Sequence, residues 1–284
     1  GSADPIHSNP ILQAISPMVI RQDVDGDGDL DLLRFTGGEH VVLGGTDEDD
    51  TLIGGEGDDT LWGEGGNDRL EGGFGVDHIK GGDGHDIITD SGTDVGAGDV
   101  LDGEAGDDFI NGGMGLDLIF GGDGSDFLYG GSDDKTVSGG EGNDFISGPS
   151  GLSDWIEGGD SFDTLAGENS ELFFNSTIIG HDVLNGRGND TDYDGESGDD
   201  IMFQGPGIQR NNGMAGFDWA INKGNPEPAD SDMTIKIFEN QQDRILRDRF
   251  DLVEGLSGWD YNDVLIGREV VMGAADDANN AAIV

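Results

Sequence analysis

The sequence of 284 residues carries 61 acidic side chains against 13 basic ones, a formal net charge of −48 at pH 7. Only 33% of the residues are hydrophobic and 54 are glycine, which excludes an ordinary globular core. The charge excludes a protein that binds nucleic acid or an anionic membrane. No segment approaches the roughly 18 consecutive apolar residues of a membrane span, and the absence of cysteine excludes disulfides and thiolate metal sites.

Residues 1–43 are expected to form a flank that precedes a repeat region. An acidic segment within this flank has the D-x-D-x-D-G spacing of a calcium loop, but Arg34 stands at the twelfth position, where an EF-hand loop has Glu. Two interpretations stay open, a self-contained Ca²⁺ loop and a solvated acidic turn. The candidate ligands of such a loop are Asp23, Asp25, Asp27, Asp29 and Asp31.

A nine-residue period runs through the middle of the chain. Successive blocks such as GGEGDDTLW, from Gly54 to Trp62, and GGDGSDFLY, from Gly121 to Tyr129, share one pattern. The sixth position of the block is almost always Asp, and the eighth is aliphatic. The aliphatic positions are Leu52, Leu61, Leu70, Ile79, Ile88, Leu101, Ile110, Ile119, Leu128, Val137, Ile146, Ile156 and Leu165. Internal repetition of this kind predicts stacked, equivalent turns.

The fixed phase distinguishes these repeats from a disordered acidic linker, the alternative that composition alone favours. Glycines at positions one, two and four permit positive φ and let carbonyl groups point inward without a Cβ in the way. Carbonyls together with a carboxylate suit a hard cation with six to eight oxygen ligands, Ca²⁺ better than the smaller Mg²⁺. Strand alternation then points the eighth residue inward, and the seventh and ninth to solvent.

The repeats bury little apolar surface. Each 18-residue pair of blocks offers two aliphatic side chains, too few to offset the cost of ordering its backbone. Carboxylates aligned along each edge would also repel one another. We therefore expect metal binding to be coupled to folding.

The blocks resemble the hemolysin-type calcium-binding repeat of the RTX family, whose pattern is G-G-x-G-x-D-x-U-x. The resemblance covers residues 45–221, and residues 44–221 are expected to form the repeat domain. It implies an all-β fold, a parallel β-roll (RTX solenoid) in which two blocks make one turn and Ca²⁺ ions lie between the turns. It also implies about ten or more ions, held by sixth-position carboxylates and by backbone carbonyls near the first and third positions.

The ligands that the resemblance implies form two sets. The carboxylates are those of Asp50, Asp59, Asp68, Asp77, Asp86, Asp99, Asp108, Asp117, Asp126, Asp144, Asp154, Asp163, Asp182, Asp190, Asp200 and Asp218. The backbone carbonyls are those of Gly54, Glu56, Gly63, Gly65, Gly72, Phe74, Gly81, Asp83, Gly103, Ala105, Gly112, Met114, Gly121, Asp123, Gly139 and Glu141.

The repeat register is interrupted in three places. Four residues are inserted between Asp86 and Asp99, so a small loop is expected around residues 91–97. A one-residue slip precedes Asp154, and the phase blurs from Glu168 onward.

One block changes the sign of its sixth residue. In GGSDDKTVS, from Gly130 to Ser138, Lys135 stands where Asp is expected. We favour a vacant or weakened ion site on that edge. The alternatives are that Asp133 or Asp134 replaces the missing ligand, or that the lysine ammonium itself replaces the ion.

Residues 222–284 are expected to cap the open apolar end of the roll, because a terminal solenoid unit must cover its core. Within this segment, residues 233–238 are predicted to form a strand. A dedicated site for an anionic ligand around Arg244, Arg247 and Arg249 is the alternative.

Two flanking segments carry a second resemblance. Residues 248–268 and the acidic opening DVDGDGDLDLL are similar to segments that flank RTX repeats in large bacterial heme peroxidase-like proteins of the peroxidase-cyclooxygenase superfamily. This resemblance implies a noncatalytic calcium module of a larger secreted enzyme.

The sequence favours a calcium-binding module over an enzyme. Its five histidines include no H-E-x-x-H pair, and it contains no G-x-S-x-G elbow and no P-loop. We expect the module to fold on type I export into millimolar Ca²⁺, and to stabilise or aid secretion of a larger extracellular or cell-surface bacterial protein. The expected partners are calcium ions and the other domains of that protein.

The alternative function is an adhesive surface for extracellular polysaccharide or a partner protein, as in an RTX adhesin. Phe109, Phe127 and Phe145 motivate it, because they are seventh-position residues spaced 18 apart and are expected to stack outward. Packing beneath the protein's own flanks is the other explanation of this column. A catalytic role requires a heme, zinc or nucleophile site that the sequence does not display.

Overall fold

The computed structural model describes most of the chain. The described residues are 18–24, 26, 30–93, 97–133, 135–148, 154–167, 180–187, 191–224, 229–236, 248–258, 260 and 263–267. Four predicted ligands, Asp25, Asp27, Asp29 and Asp190, lie outside them. The regular elements of the described residues are strands, and no helix among these residues is long and apolar enough to cross a membrane.

The chain divides into two compact units, Gly1–Thr136 and Val137–Val284. Each unit is a parallel β-roll in which consecutive strands alternate between two sheets. The alternation follows from the repeat, because each block supplies one short strand and one turn that carries the chain to the opposite sheet. The predicted all-β, parallel fold is confirmed.

Unit 1 begins with one antiparallel strand pair and continues as parallel strands. Its strands are β1 (Val19–Gln22), β2 (Leu32–Phe35), β3 (Val42–Gly44), β4 (Thr51–Glu56), β5 (Thr60–Gly65), β6 (Arg69–Phe74), β7 (His78–Asp83), β8 (Ile87–Thr89), β9 (Val100–Ala105), β10 (Phe109–Asn111), β11 (Leu118–Asp123) and β12 (Phe127–Tyr129). One sheet has the order β1-β2-β4-β6-β8-β10-β12, and the other has the order β3-β5-β7-β9-β11.

Unit 2 repeats this arrangement and adds a separate strand pair. Its strands are β13 (Thr136–Glu141), β14 (Phe145–Ser147), β15 (Trp155–Asp160), β16 (Asp163–Ala166), β17 (Val183–Arg187), β18 (Thr191–Asp194), β19 (Ile201–Phe203), β20 (Gln209–Asn212), β21 (Trp219–Ile221), β22 (Asp230–Asp232), β23 (Arg249–Asp251), β24 (Gly255–Ser257) and β25 (Val264–Ile266). The sheet orders are β14-β16-β18-β20-β23 and β13-β15-β17-β19-β21-β24, and β22 pairs with β25.

Parallel pairing extends beyond both ends of the predicted repeat domain, 44–221. In unit 1, β2 pairs in register with β4, and its inward residue Leu33 is fully buried. In unit 2, β23 and β24 pair with β20 and β21, although they lie in the segment predicted as a cap, 222–284. These strands lack the full glycine pattern, so the sequence did not mark them as turns of the roll.

The strand predicted at residues 233–238 is wrong over its described part. Strand β22 ends at Asp232, and Met233 and Thr234 form a turn. The apolar residues that suggested a strand, Met233 and Ile235, are buried although they do not lie in a strand. Residues 237 and 238 lie outside the described part of the chain.

The core of each unit is a stack of eighth-position side chains. Leu52, Leu70, Ile88, Ile110 and Leu128 are fully buried, and each pairs with the next across neighbouring strands of one sheet. The predicted set, from Leu52 to Leu165, is buried at every position. The nine-residue phase therefore identified the inward face correctly.

The glycines of each block serve two different needs. At positions two and four, Gly82 and Gly84 have positive φ, and a Cβ on Gly84 would lie 1.6 Å from the carbonyl oxygen of Gly66. At position one the prediction of positive φ is wrong, since Gly81 does not adopt it. Gly81 is required for space instead, because its Cβ would lie 2.2 Å from the Oδ2 atom of Asp86.

The phenylalanine column is present in unit 1. The rings of Phe109 and Phe127 stack with centroids 5.5 Å apart and an interplanar angle of 9°, and both residues are exposed. Phe145 belongs to unit 2 and is half-buried. The outward stacking is therefore confirmed for the first two rings.

Two adjacent isoleucines test the inward assignment. Ile88 is fully buried and Ile87 is 40% exposed. We expect Ile88→Ala to lower the free energy of unfolding in saturating Ca²⁺ by roughly 2–5 kcal/mol, because it leaves a cavity in the stack. Ile87→Ala should cost less than about 1 kcal/mol. Denaturant unfolding measures both, and equal losses would contradict the assignment.

Candidate metal centre

The sixth-position aspartates form ladders along the edges of the roll. In each ladder, the Oδ1 atom of one aspartate accepts a hydrogen bond from the backbone N–H of the sixth residue one turn earlier. In unit 1, Asp50 donates to Asp68 at 2.7 Å, Asp68 donates to Asp86 at 2.8 Å, and Asp86 donates to Asp108 at 2.7 Å. The ladder places one carboxylate at the same height in every turn.

The opposite edge of unit 1 carries an equivalent ladder. Asp59 donates to Asp77 at 2.8 Å, Asp77 to Asp99 at 2.7 Å, and Asp99 to Asp117 at 3.0 Å. The Asp77–Asp99 step spans 22 residues where its neighbours span 18. The predicted four-residue insertion is therefore absorbed between turns without breaking the ladder.

Unit 2 has the same bond on both edges. Asp154 donates to Asp182 at 3.0 Å, Asp182 to Asp200 at 2.8 Å, and Asp200 to Asp218 at 2.9 Å. On the other edge, Asp144 donates to Asp163 at 3.1 Å. Every described sixth-position aspartate is buried: Asp50, Asp59, Asp68, Asp77, Asp86, Asp99, Asp108, Asp117, Asp126, Asp144, Asp154, Asp163, Asp182, Asp200 and Asp218.

The second carboxylate oxygen, Oδ2, is oriented differently from Oδ1. In a subset of the described aspartates this atom is buried and accepts no hydrogen bond from the protein. The subset comprises Asp59, Asp68, Asp86, Asp99, Asp108, Asp163 and Asp218. A buried charged oxygen without a partner is costly, so in the folded chain these atoms need either a proton or a cation.

First-position carbonyls lie beside these Oδ2 atoms. A Cβ on Gly103 would lie 2.3 Å from Asp108 Oδ2 and 2.4 Å from the carbonyl oxygen of Gly121, so both oxygens border the same space. In unit 1 the carbonyl–aspartate pairs are Gly63 with Asp50, Gly72 with Asp59, Gly81 with Asp68, Gly103 with Asp86 and Gly121 with Asp108. Ligation of an ion stays a prediction for these carbonyls and for the other predicted first-position carbonyls, Gly54, Gly112 and Gly139.

Third-position carbonyls have a backbone partner. The N–H groups of the fourth-position residues Gly57, Gly66, Gly84 and Gly106 donate to the carbonyls of Phe74, Asp83, Ala105 and Asp123 at 2.7–2.9 Å. A carbonyl has two lone pairs, so one remains for an ion. Ligation by these groups and by Glu56, Gly65, Met114 and Glu141 stays a prediction.

Burial raises the pKa of the ladder carboxyls in the ion-free fold. The pKa rises to about 8 for Asp68 and Asp218, to about 7 for Asp99, Asp108 and Asp163, and to about 6 for Asp50 and Asp59. Desolvation is the largest cause, and hydrogen bonds from backbone N–H groups oppose it. Neighbouring carboxylates in the ladder add to the rise for Asp68 and Asp108.

The donor set fits Ca²⁺. It consists of carboxylate and carbonyl oxygens, the ligands that this hard cation takes. Among the residues that the structure describes, no three His, Cys, Asp or Glu side chains converge on one point. We therefore expect each ion position to combine carboxylates from the ladder with backbone oxygens.

One edge of unit 2 loses its carboxylates part of the way along. Asp163 pairs in register with Thr191, and Thr191 with Gln209, so neutral side chains take the sixth position in two turns. Asp190, predicted as the ligand of the first of these turns, lies outside the described residues and one position before Thr191. Because the repeat is irregular in this region, the sequence did not reveal that the ladder position falls one residue later than predicted.

Three acidic residues take ladder positions that the sequence reasoning missed. Glu254 accepts from Asp218 N–H at 2.9 Å, Asp248 accepts from Gln209 N–H at 3.1 Å, and Asp263 accepts from Ala229 N–H at 2.9 Å. Asp263 had a detectable signal, since Gly258 lies five residues earlier and Leu265 two residues later, as in the repeat. The carbonyls of Gly158, Gly195, Gly213 and Leu252 also lie beside ladder carboxylates.

An outer ladder runs through the fifth positions of the blocks, where the residue type varies from block to block. Asp49 accepts from Asn67 N–H at 2.7 Å, Asn67 from His85 N–H at 2.9 Å, and His85 Nδ1 from Asp107 N–H at 2.8 Å. Asp107 then accepts from Ser125 N–H at 2.8 Å. These exposed side chains hold the turns together on the outside of the ion positions.

The acidic loop near the N-terminus is only partly described. Asp23 Oδ1 accepts from Gly26 N–H at 2.5 Å, and Asp31 Oδ2 accepts from Val24 N–H at 2.9 Å. Both carboxylates therefore bind the loop's own backbone. Metal binding by the five aspartates of this loop stays a prediction.

The fold and site together define a class, a parallel β-roll whose inter-turn positions are lined by carboxylate and carbonyl oxygens suited to Ca²⁺. A family model described as the RTX calcium-binding nonapeptide repeat (4 copies) matches residues 44–79, 65–95, 93–128, 112–146 and 149–170. The matched part of the chain therefore consists of RTX calcium-binding repeats, and Ca²⁺ is the ion that such repeats bind. No curated protein matches the chain significantly.

The raised pKa values predict opposite pH dependence with and without calcium. The folded state binds more protons than the unfolded state between the ordinary Asp pKa of 3.8 and about 8, so stability of the ion-free chain falls as pH rises through that window. We expect β structure in EDTA to increase from about pH 8 to about pH 5. Apparent Ca²⁺ affinity should fall over the same change, by about tenfold per pH unit for each proton released on binding.

Circular dichroism in EDTA and Ca²⁺ titrations across this pH range measure both effects. Loss of β structure on acidification of the ion-free chain would contradict the assignment of buried, costly carboxylates.

Two adjacent aspartates separate the ion ladder from the outer ladder. Asp108 is buried with its Oδ2 atom facing the ion position, whereas Asp107 is exposed and supports Ser125. We expect Asp108→Asn to raise the Ca²⁺ concentration at the folding midpoint by about tenfold or more. Asp107→Asn removes the same charge and should shift the midpoint less than about twofold, since an exposed charge is screened. Equal shifts would indicate a general charge effect.

Proposed function

We propose that the chain is a calcium-dependent folding module of an exported bacterial protein, unfolded where Ca²⁺ is scarce and folded where it is millimolar. The observation that supports this most directly is the row of buried Oδ2 atoms without a partner, of which Asp68 and Asp108 are examples. Folding concentrates these charges, and binding of Ca²⁺ compensates them, so the two processes are linked.

The chain's own cations are too few to replace calcium. It has 13 basic residues for 61 acidic ones. Several of the basic side chains are paired away from the ion ladder, as Lys80 is with Asp102 and Glu104, and Arg210 with Asp192. Neutralisation of most ladder positions therefore depends on ions from solution, about ten or more by the number of stacked turns.

The calcium dependence suits export. Extracellular calcium modules bind at about 10⁻⁴–10⁻³ M, a concentration that the cytosol does not reach. The chain then stays unfolded inside the cell, competent for a type I secretion route, and folds outside at the extracellular space or cell surface. In this proposal the module is noncatalytic, and it stabilises the domains to which it is attached.

The candidate parent is a secreted peroxidase-like protein. This part of the proposal rests on the resemblance of residues 248–268 and of the acidic opening to flanks in that superfamily. Adhesion to polysaccharide is not favoured, because the exposed rings of Phe109 and Phe127 pack on each other, whereas the buried carboxylates of the ladder point to calcium.

Calcium removal and restoration test the proposed function. We expect the chain in EDTA to show a largely disordered far-ultraviolet circular dichroism spectrum and to gain β structure at about millimolar Ca²⁺, with little response to the same concentration of Mg²⁺. Isothermal titration calorimetry gives the number of ions. Persistence of the full β spectrum after complete chelation would overturn the coupling of folding to calcium.

A further inference from the structure

Lys135 occupies the sixth position of its block, where the other turns of unit 1 have an aspartate. Its side chain has no solvent exposure, and neither has that of Asp117 one turn earlier. A buried lysine is rare unless its ammonium is paired. Its burial at this position therefore requires a specific set of acceptors.

The ammonium of Lys135 lies among three oxygens. Its Nζ atom is 2.8 Å from Asp117 Oδ2 and donates to the carbonyl oxygen of Gly115 at 2.8 Å. It also donates to the carbonyl oxygen of Ser132. A ladder carboxylate and carbonyls of the turns are the same kinds of oxygen that line the ion positions elsewhere.

The lysine chain also takes space that belongs to the carboxylate in other turns. If Gly54 or Gly103 carried a Cβ, the atom nearest to it would be the Oδ2 atom of that block's own sixth-position aspartate. At Gly112, the equivalent glycine of the Asp117 block, the nearest atom to such a Cβ would be Ile119 Cδ1 at 2.6 Å, followed by Gly130 O at 2.9 Å and Lys135 Cε at 3.1 Å. The alkyl chain of Lys135 and the side chain of Ile119 thus occupy the space beside the first-position glycine.

We propose that the Lys135 ammonium replaces a Ca²⁺ ion between the Asp117 turn and its own turn, a proposal that rests on the calcium-binding function above. This geometry favours the lysine as the substitute cation over the vacant or weakened site that the sequence suggested. The other alternative was that Asp133 or Asp134 replaces the missing carboxylate. Asp133 is half-buried in a left-handed conformation, and Asp134 lies outside the described residues.

This position would then hold its two turns together without an ion. The ammonium neutralises Asp117, the last aspartate of the sixth-position ladder that contains Asp77 and Asp99. This positive charge is part of the chain itself. Its pairing does not vary with the calcium concentration. The number of bound ions is therefore one lower than the number that an unbroken ladder would hold.

Ion counting on matched variants tests the proposal. Native mass spectrometry and calorimetry would compare the wild-type chain with Lys135→Asp, Lys135→Gln and the control Lys223→Asp, in which an exposed lysine undergoes the same change. We expect Lys135→Asp to bind one more Ca²⁺ per chain and Lys223→Asp to bind the wild-type number. Lys135→Gln should keep the wild-type number and melt at a lower temperature, because Asp117 loses its cation.

The outcomes separate this proposal from the proposed function. A wild-type chain that binds no Ca²⁺ refutes the function itself. A wild-type chain that binds Ca²⁺, together with a folded Lys135→Asp variant that binds the same number, refutes only the lysine substitution.

A measurement on the wild-type chain covers the case in which Lys135→Asp does not fold. In saturating Ca²⁺, an amine-acetylating reagent should modify the exposed Lys223 and Lys236 rapidly and Lys135 at least about tenfold more slowly. Peptide mass spectrometry gives each rate. Equal modification of Lys135 would show that its ammonium is not held among buried oxygens.

Discussion

The structure depends on the hydrogen bond between each sixth-position amide and the carboxylate one turn later. This bond fixes Oδ1 and thereby directs Oδ2 toward the space beside the first-position glycine, as at Asp108 and Gly103. The same geometry that aligns the turns accumulates buried negative charge. If folding is coupled to calcium as proposed, the fold and its need for cations are one property, because the bond that aligns the turns also buries the charge that a cation compensates.

Most of the roll could be predicted from the sequence because its period couples two signals. An aliphatic residue in every eighth position identifies the inward face, and an aspartate in every sixth identifies the edge. Ile88 and Asp86 show both, two residues apart and both buried. Repetition makes such assignments robust, since an error in one block is corrected by its neighbours.

The remaining features depend on spatial neighbours that no local pattern encodes. Glu254 enters the ladder because its longer side chain reaches the amide of Asp218, although its segment lacks the repeat. Thr191 takes a ladder position because the strands pair one residue away from the expected register. The first-position glycine was assigned to positive φ, whereas the close approach of Oδ2 is what excludes a side chain there.

The direction of the ladder bonds gives the stack a polarity. The sixth-position amides of the ion ladders donate toward the C-terminal side, and the fifth-position amides of the outer ladder donate toward the N-terminal side, so the two ends of such a ladder are chemically different. At the start, Val41 N–H donates to Asp59, and Val41 itself brings no carboxylate. Toward the end, Asp218 N–H finds its acceptor in Glu254. In unit 1 a neutral residue thus begins a ladder, and in unit 2 an acceptor from outside the repeats ends one. Either ladder could otherwise be extended only head to tail, by a second roll with the same orientation.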